Sequence, residues 1–386
     1  MATRTAAAAA SDKRGAAAAG LPPEGALHTA TADAPPPPSH PGGLGELDLE
    51  GLLTHPHLGV AVLQYLGDDT VAATALRGTC RGARDAVAGH RWHDTATRVV
   101  WPGRWRAAFP VATAANVSRK YWDPPSTLTD ADFVHFRGLR TLDMSLCYQE
   151  TITDGAFAHL AGIHTLNMRE CSQATITDGA FAHLAGIHTL NMTGCYQATI
   201  TDGAFTHLAG IHTLNMSGCS QTTITDGAFA HLRGIDTLIL SGCSQATITD
   251  GAFAHLAGIH TLYMSGCRQA TITDGAFAHL RGIHALYMGN CSQTTITDVA
   301  FAHLHGILTL YMSGCNQATI TDGAFAHLRG IHMLYMGGCS QTTISDAAFA
   351  HLAGIHALDL RACNQATITD ACRARLRAAG IPDLRM

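Results

Sequence analysis

Cysteine recurs at positions 147, 171, 195, 219, 243, 267, 291, 315, 339 and 363, and every gap is 24 residues. An aspartate keeps the same beat from Asp130 through Asp154 and Asp178 to Asp370. Few folds accept a period that never slips. A unit this short holds too few apolar side chains for a core of its own, so each unit must be buried by the next. The chain therefore reads as a stack of like units, a solenoid.

One unit, Thr151 to Ala174, reads TITDGAFAHLAGIHTLNMRECSQA. Leu166 and Met168 alternate with Thr165 and Asn167, which predicts a short strand with the first pair inward and the second outward. Thr153 to Leu160 predicts a short helix, because Ala156, Phe157 and Leu160 share one face. Thr153 or Asp154 is placed to cap it, and the repeated aspartates are read as such caps. Gly155 weakens this helix, which points to one or two 3₁₀ turns. Gly162 falls just past its end, where a left-handed residue is wanted. Gln149, Gln173 and their equivalents through Gln365 are expected to stack as an amide ladder in the turn. Ten strands at ~4.8 Å make a parallel sheet roughly 45 Å along its edge.

The spacing Ile163-x-x-Leu166-x-Met168-x-x-Cys171, followed by Ile176-Thr-Asp178 and Phe181-x-x-Leu184, resembles the cysteine-containing leucine-rich repeat found in F-box proteins. The resemblance covers residues 127–386. It implies an α/β leucine-rich-repeat solenoid, with a curved parallel sheet on the concave side and short helices on the convex side. Four residues stand between Cys171 and Ile176, where that family usually has two. The phrase Gly-Ala-Phe also resembles a repeat subtype of bacterial and protist surface proteins.

Five segments follow. Residues 1–46, with alanine runs and Pro35 to Pro38, cannot bury enough apolar surface to offset chain entropy and are expected to be a disordered tail. Residues 47–92 read as short packed helices around the turn Gly67-Asp68-Asp69. Residues 93–126, with Trp101, Trp105 and Trp122, read as a linker and N-terminal cap. Residues 127–370 are the repeats. Residues 371–386 read as a C-terminal cap whose outer face is made polar by Arg373, Arg375 and Arg377.

Residues 47–92 also resemble a divergent F-box in Val62-Leu63-Gln-Tyr65-Leu66, Gly67-Asp68-Asp69 and Thr79-Cys80-Arg81, with Trp92 as the trailing tryptophan. That resemblance implies docking on the adaptor subunit of a cullin-RING (SCF) ubiquitin ligase through Val62, Leu63, Tyr65, Leu66, Cys80 and Arg81. The solenoid would then hold a protein substrate. The alternatives are a helical cap that only closes the solenoid, and a plain leucine-rich-repeat scaffold with no link to ubiquitin.

Apolar residues make up 47% and charged residues 14%, as in a packed protein. The net charge of −5 gives no basic stripe, so a nucleic-acid partner is not expected. No apolar run is long enough for a bilayer. Asp12, Lys13 and Arg14 interrupt the alanine-rich start, so no secretory segment is read, and the expected location is intracellular, cytoplasm or nucleus. No nucleophile elbow, P-loop or dinucleotide fingerprint occurs, so neither catalysis nor a cofactor is expected. Without a CxxC pair or mixed Cys/His spacing the cysteines read as buried small hydrophobes, not metal ligands. The expected state is a monomer within a complex.

The near-copied unit makes its varying positions informative. One outward strand position reads Asp143, Asn167, Asn191, Asn215, Ile239, Tyr263, Tyr287, Tyr311, Tyr335, Asp359. The four tyrosines should form a stripe on the concave face, and with Asn167, Asn191, Asn215 and Ile239 they are the candidate partner-binding residues. The competing reading is that tyrosine was copied with its repeat. Histidine forms two further ladders, one at the helix and one, from His164 to His356, at the strand. The strand ladder is either an exposed copied residue, a metal site or a pH sensor. Crowding is expected to resist its protonation.

Overall fold

The computed structural model describes residues 58–66, 69–120 and 127–386. The expected tail over 1–46, Gly67-Asp68 and Trp122 lie outside the described residues. The described residues form one compact unit. Four helices open the described region: α1 Leu58–Leu66, α2 Thr70–Arg77, α3 Arg81–Gly89 and α4 Pro102–Ala108. Strand β1, Ala114–Asn116, follows. Ten strands then recur with the period, from β2 Thr141–Asp143 and β3 Thr165–Asn167 to β10 Met333–Tyr335 and β11 Ala357–Asp359. Strand β12, Asp383–Arg385, closes the row.

All twelve strands form one sheet in sequence order, every pair parallel and in register at the same repeat position. Only ten were expected. The two extra strands belong to the segments read as caps, which carry no repeat signature. Ala114↔Thr141 and Ala357↔Asp383 extend the ladder at each end.

Inside the sheet the alternation holds: Leu166 and Met168 are buried while Thr165 and Asn167 are half-exposed. The core is one continuous column of Phe157, Leu160, Ile163, Leu166, Met168, Cys171 and their copies. Each repeat cysteine is a free, buried thiol. It is also more than filler, because Cys171 Sγ donates to the Met144 carbonyl of the preceding unit at 3.2 Å, as Cys195 does to Met168. Burial pushes the Cys195 thiol up to about 12, so it stays protonated and inert.

The aspartates do something other than the capping read from sequence. Thr153 is the cap: its Oγ1 accepts from Gly155 N–H at 3.1 Å. Asp154 instead reaches the next unit, accepting from Thr177 N–H at 2.7 Å and from Thr177 Oγ1 at 2.5 Å. Asp226 holds Thr249 the same way at 2.7 and 2.5 Å. The pairing runs from Asp130 to Asp346, with Ser345 once in place of threonine. Glycine follows seven of these aspartates, while Val299 and Ala347 stand at the same position beside the same pairing. A Cβ on Gly179 would lie 2.7 Å from the Asp154 carboxylate, so the preceding unit occupies that space. The helix is a single α turn over Asp154–Phe157, with 3₁₀ turns at Asp130–Phe136, Ala182–Leu184 and Ala348–His351.

The glutamines also differ from expectation. Four of them donate to backbone of the preceding unit, Gln173 Nε2 to the Cys147 carbonyl at 3.0 Å, Gln197 to that of Cys171 at 3.0 Å, and Gln221 and Gln245 likewise, while the side-chain amides of Gln149 and of Gln269 through Gln365 make no hydrogen bond among the described residues.

The N-terminal helices and the cap share a core in which Trp92, wholly buried, meets Leu63, Ala73, Val87 and Phe109. Trp92 Nε1 donates to the Val87 carbonyl at 2.8 Å, and its ring is edge-on to Phe109 at 5.8 Å. Asp94, buried, accepts from both N–H and Oγ1 of Thr70 at the start of α2. Arg106 on α4 donates to the carbonyls of His135 and Arg137, fastening the cap to the first repeat.

Replacing Asp226 by alanine strips Thr249 of two charge-assisted bonds and should lower stability by about 2 kcal/mol in urea unfolding. Asp370 holds no threonine among the described residues, so Asp370→Ala should cost no more than ~0.5 kcal/mol, a helix-dipole effect. Equal losses would restore the capping role.

Candidate interaction face

The outward residues of twelve short strands form one face. The candidate tyrosines sit on four consecutive strands, paired in register as Tyr263↔Tyr287, Tyr287↔Tyr311 and Tyr335↔Tyr311. Tyr263 and Tyr287 stack at 4.1 Å and 10°. Tyr287 and Tyr311 are 6.1 Å apart, and Tyr311 and Tyr335 5.9 Å at 35°. The wider steps have a local cause. The Tyr311 ring lies over Gly289, where a Cβ would come within 2.8 Å of it. Most neighbouring units have serine or threonine at that position, so Gly289 was a readable signal. Burial and the adjoining Tyr263 hydroxyl push the Tyr287 phenol above its ordinary range, so this ring stays neutral.

The stripe ends in a shallow cavity of about 580 Å³ lined by Tyr287, Tyr311, Tyr335, Asp359, Arg361 and Arg385 among others. The charged rim was not singled out from sequence. Arg361 grips Asp359 through Nε at 3.0 Å and Nη2 at 2.6 Å. Burial works to raise the Asp359 carboxyl, but Arg361's hydrogen bonds and charge outweigh it and hold the group below its usual range. Arg385 pairs with Asp383 at 2.9 Å and lies 6.0 Å over the Tyr335 ring.

The asparagines of the same row are engaged locally. Asn191 Oδ1 accepts from Thr193 N–H and Oγ1, and Asn215 Oδ1 from Ser217 in the same way. Asn167 donates to Asp143 at 3.0 Å. Ile239 is half-exposed beside Tyr263. The face thus divides into an N-terminal half that ties its own turns and a C-terminal aromatic half.

Of the residues matched to an F-box, Leu63 is buried in the molecule's own core and Cys80 caps α3 by accepting from Ala83 N–H. Val62 and Leu66 are half-buried, Arg81 is exposed, and Tyr65 is 92% exposed. Of these six, only Tyr65 and Arg81 are exposed.

In the strand histidine ladder, His164, His188 and His212 stack at 4.5 Å and 11°. Asp236 interrupts it, 3.0 Å from His260 and 3.8 Å from His212. No group of three or more His, Cys, Asp or Glu among the described residues is arranged to hold a metal. No described helix is long and apolar enough to cross a membrane.

No family model and no curated protein matches the chain. Solved structures do. A chain of the Toll–Spatzle complex from Drosophila aligns over 66% of this chain and 37% of its own length, with a TM-score of 0.55 at 15% identity. A chain of the TLR13–ssRNA13 complex aligns over 72% and 41%, with a TM-score of 0.53 at 17% identity. The chain folds as a leucine-rich-repeat solenoid. It spans about two fifths of the length of these neighbours, and at such identities the likeness carries the fold alone.

Desolvation first, then the charges of His164 and His212 on either side, hold the exposed His188 imidazole below its ordinary value. A base so held prefers its neutral form in the fold, so as pH falls through ~6.5 the unfolded chain takes up the proton first and the fold loses stability. In an NMR titration His188 should titrate below free histidine, and the His164→Asn/His212→Asn double change should raise its midpoint. A midpoint equal to that of a model peptide in both proteins would refute the crowding account.

Proposed function

We propose that this chain is a non-catalytic binding protein whose concave sheet face holds a protein partner, anchored on Tyr263, Tyr287, Tyr311 and Tyr335. The observation that carries this is the unbroken row of four phenol rings on adjacent strands, ending in a cavity with two arginines at its rim. Such rings offer large contact area at low entropic cost, with a hydrogen-bonding tip. The solved neighbours are named in complexes, one with the protein Spatzle and one with single-stranded RNA. Stacked rings also suit unpaired bases, but nucleic-acid grooves add an unpaired basic track along the backbone. Here Arg361 and Arg385 are each ion-paired, which favours a protein.

The Tyr287→Ala/Tyr311→Ala variant should keep the wild-type melting profile and lose at least tenfold in affinity for any protein captured by the wild type. Unchanged affinity, or retention only of RNA in a salt-dependent manner, would reject the protein-binding reading.

A second reading keeps the helical segment as a dock for the adaptor of a cullin-RING ligase, with the chain then intracellular. Its support is the F-box resemblance together with apolar side chains left outside on α1 and α2, Tyr65 and Val71. Because Leu63 is core, its substitution would confound folding with docking. Purified adaptor should bind the full chain and be released by Tyr65→Asp. A folded chain that captures no adaptor leaves the scaffold reading alone.

A further inference from the structure

Within the repeats, two tyrosines stand outside the strand row. Tyr148 and Tyr196 directly follow Cys147 and Cys195, on the ledge where the chain leaves the strand, and are 42% and 60% exposed. The corresponding residue of the other eight units is serine, arginine or asparagine. Ser172 lies between the two rings, so they stand two units apart, roughly 10 Å at ~4.8 Å per strand. The gap between them is a cavity of about 550 Å³.

Glutamate is rare in this chain. After Glu50 it occurs only as Glu150 and Glu170, and both line this cavity. Glu150 replaces the alanine or threonine of every other unit. Glu170 stands at φ +57, where six other units have glycine. A residue with a Cβ pays conformational strain there, and such strain gathers at functional positions. The neighbouring unit makes room for it: a Cβ on Gly194 would lie 3.0 Å from Glu170 Cγ. Gln173 lines the same cavity, 5% exposed, with its Nε2 bound to the Cys147 carbonyl and its Oε1 accepting no hydrogen bond among the described residues, as at Gln197. Arg119 already sets a guanidinium 5.0 Å over the Tyr148 ring. Arg169 holds Glu170 Oε1 at 2.6 Å, an exposed pair of the kind that exchanges readily with another cation.

We propose that this ledge slot binds the cationic end of a basic peptide side chain, arginine or lysine, between Tyr148 and Tyr196, with Glu150 and Glu170 supplying the opposite charge. A cation midway between rings ~10 Å apart lies within the ~6 Å reach of both aromatic faces. The slot is on different units from the tyrosine stripe and stands whether or not the stripe binds a partner.

The test uses the full chain and a fluorescein-labelled hexapeptide of alternating glycine and arginine, with its lysine counterpart, in anisotropy titrations at low salt. Tyr196 is exposed, so its substitution leaves the core intact, and unchanged melting curves verify this. Tyr196→Ala should weaken binding of either peptide roughly fivefold, while Tyr196→Phe, which keeps the ring, stays within about twofold of wild type. Glu170→Gln should weaken binding and flatten its salt dependence. Tyr287→Ala/Tyr311→Ala should bind the peptides as wild type does. The proposal is overturned if wild type binds neither peptide, if Tyr196→Ala binds as tightly as wild type, or if the stripe variant loses as much as Tyr196→Ala.

Discussion

A carboxylate in one unit holding the N–H and hydroxyl of a threonine in the next is the contact on which the rest of the solenoid depends. Hydrophobic burial alone would let neighbouring units slide or tilt, because a column of phenylalanine, leucine and methionine is directionless. The aspartate–threonine pair has direction. It fixes the 23-residue step from Asp154 to Thr177, and threonine passes the constraint on by capping its own helical turn at Gly179. Cysteine thiols on the strand side and threonine hydroxyls such as Thr175 on the Ile152 carbonyl add further ties across the same junction. With the junction fixed on both sides, each strand arrives in register, and side chains at one position become a row.

That register turns sequence variation into surface chemistry. When one position changes over several units, the change appears as a continuous strip a few ångströms per step. Asparagine at this position folds back on its own turn, whereas tyrosine cannot and projects from the sheet. The aromatic half of the face therefore begins where the local Asx bond is lost, at Ile239, and ends where Asp359 takes up Arg361.

The period, the strand, the buried face and the parallel sheet were legible because each is a repeated pattern with a single physical solution. The partner of the aspartate was not. Thr153 and Asp154 are adjacent and both are good cap residues, so sequence alone assigns the same local role to each, and a bond to a residue 23 positions later leaves no local trace. The glutamines misled for a related reason: amides at a fixed spacing suggest stacking, but at Gln173, Gln197, Gln221 and Gln245 a buried backbone carbonyl of the preceding unit takes the N–H. Strands β1 and β12 escaped because Ala114-Ala115-Asn116 and Asp383-Leu384-Arg385 lack the repeat's flanking residues. At the candidate face the tyrosines were readable from their row, whereas Arg361 and Arg385 enter through the end of the stack. The Tyr148–Tyr196 slot was hidden because its residues come from three turns, though the two late glutamates marked it.

Near-identity of the units has one further consequence at the ends of the stack. Every internal junction presents the same two complementary surfaces, so an uncovered terminal unit would offer to a second molecule what it offers to its own neighbour. Such a head-to-tail contact does not close on itself and generates an open filament. The tryptophan-centred helices at one end, and at the other the arginine-bearing helix Asp370–Ala378 with the charged edge strand Asp383–Arg385, differ from the repeat in shape and polarity. Neither segment repeats the surface that an internal junction presents, so the self-complementary contact is not offered there.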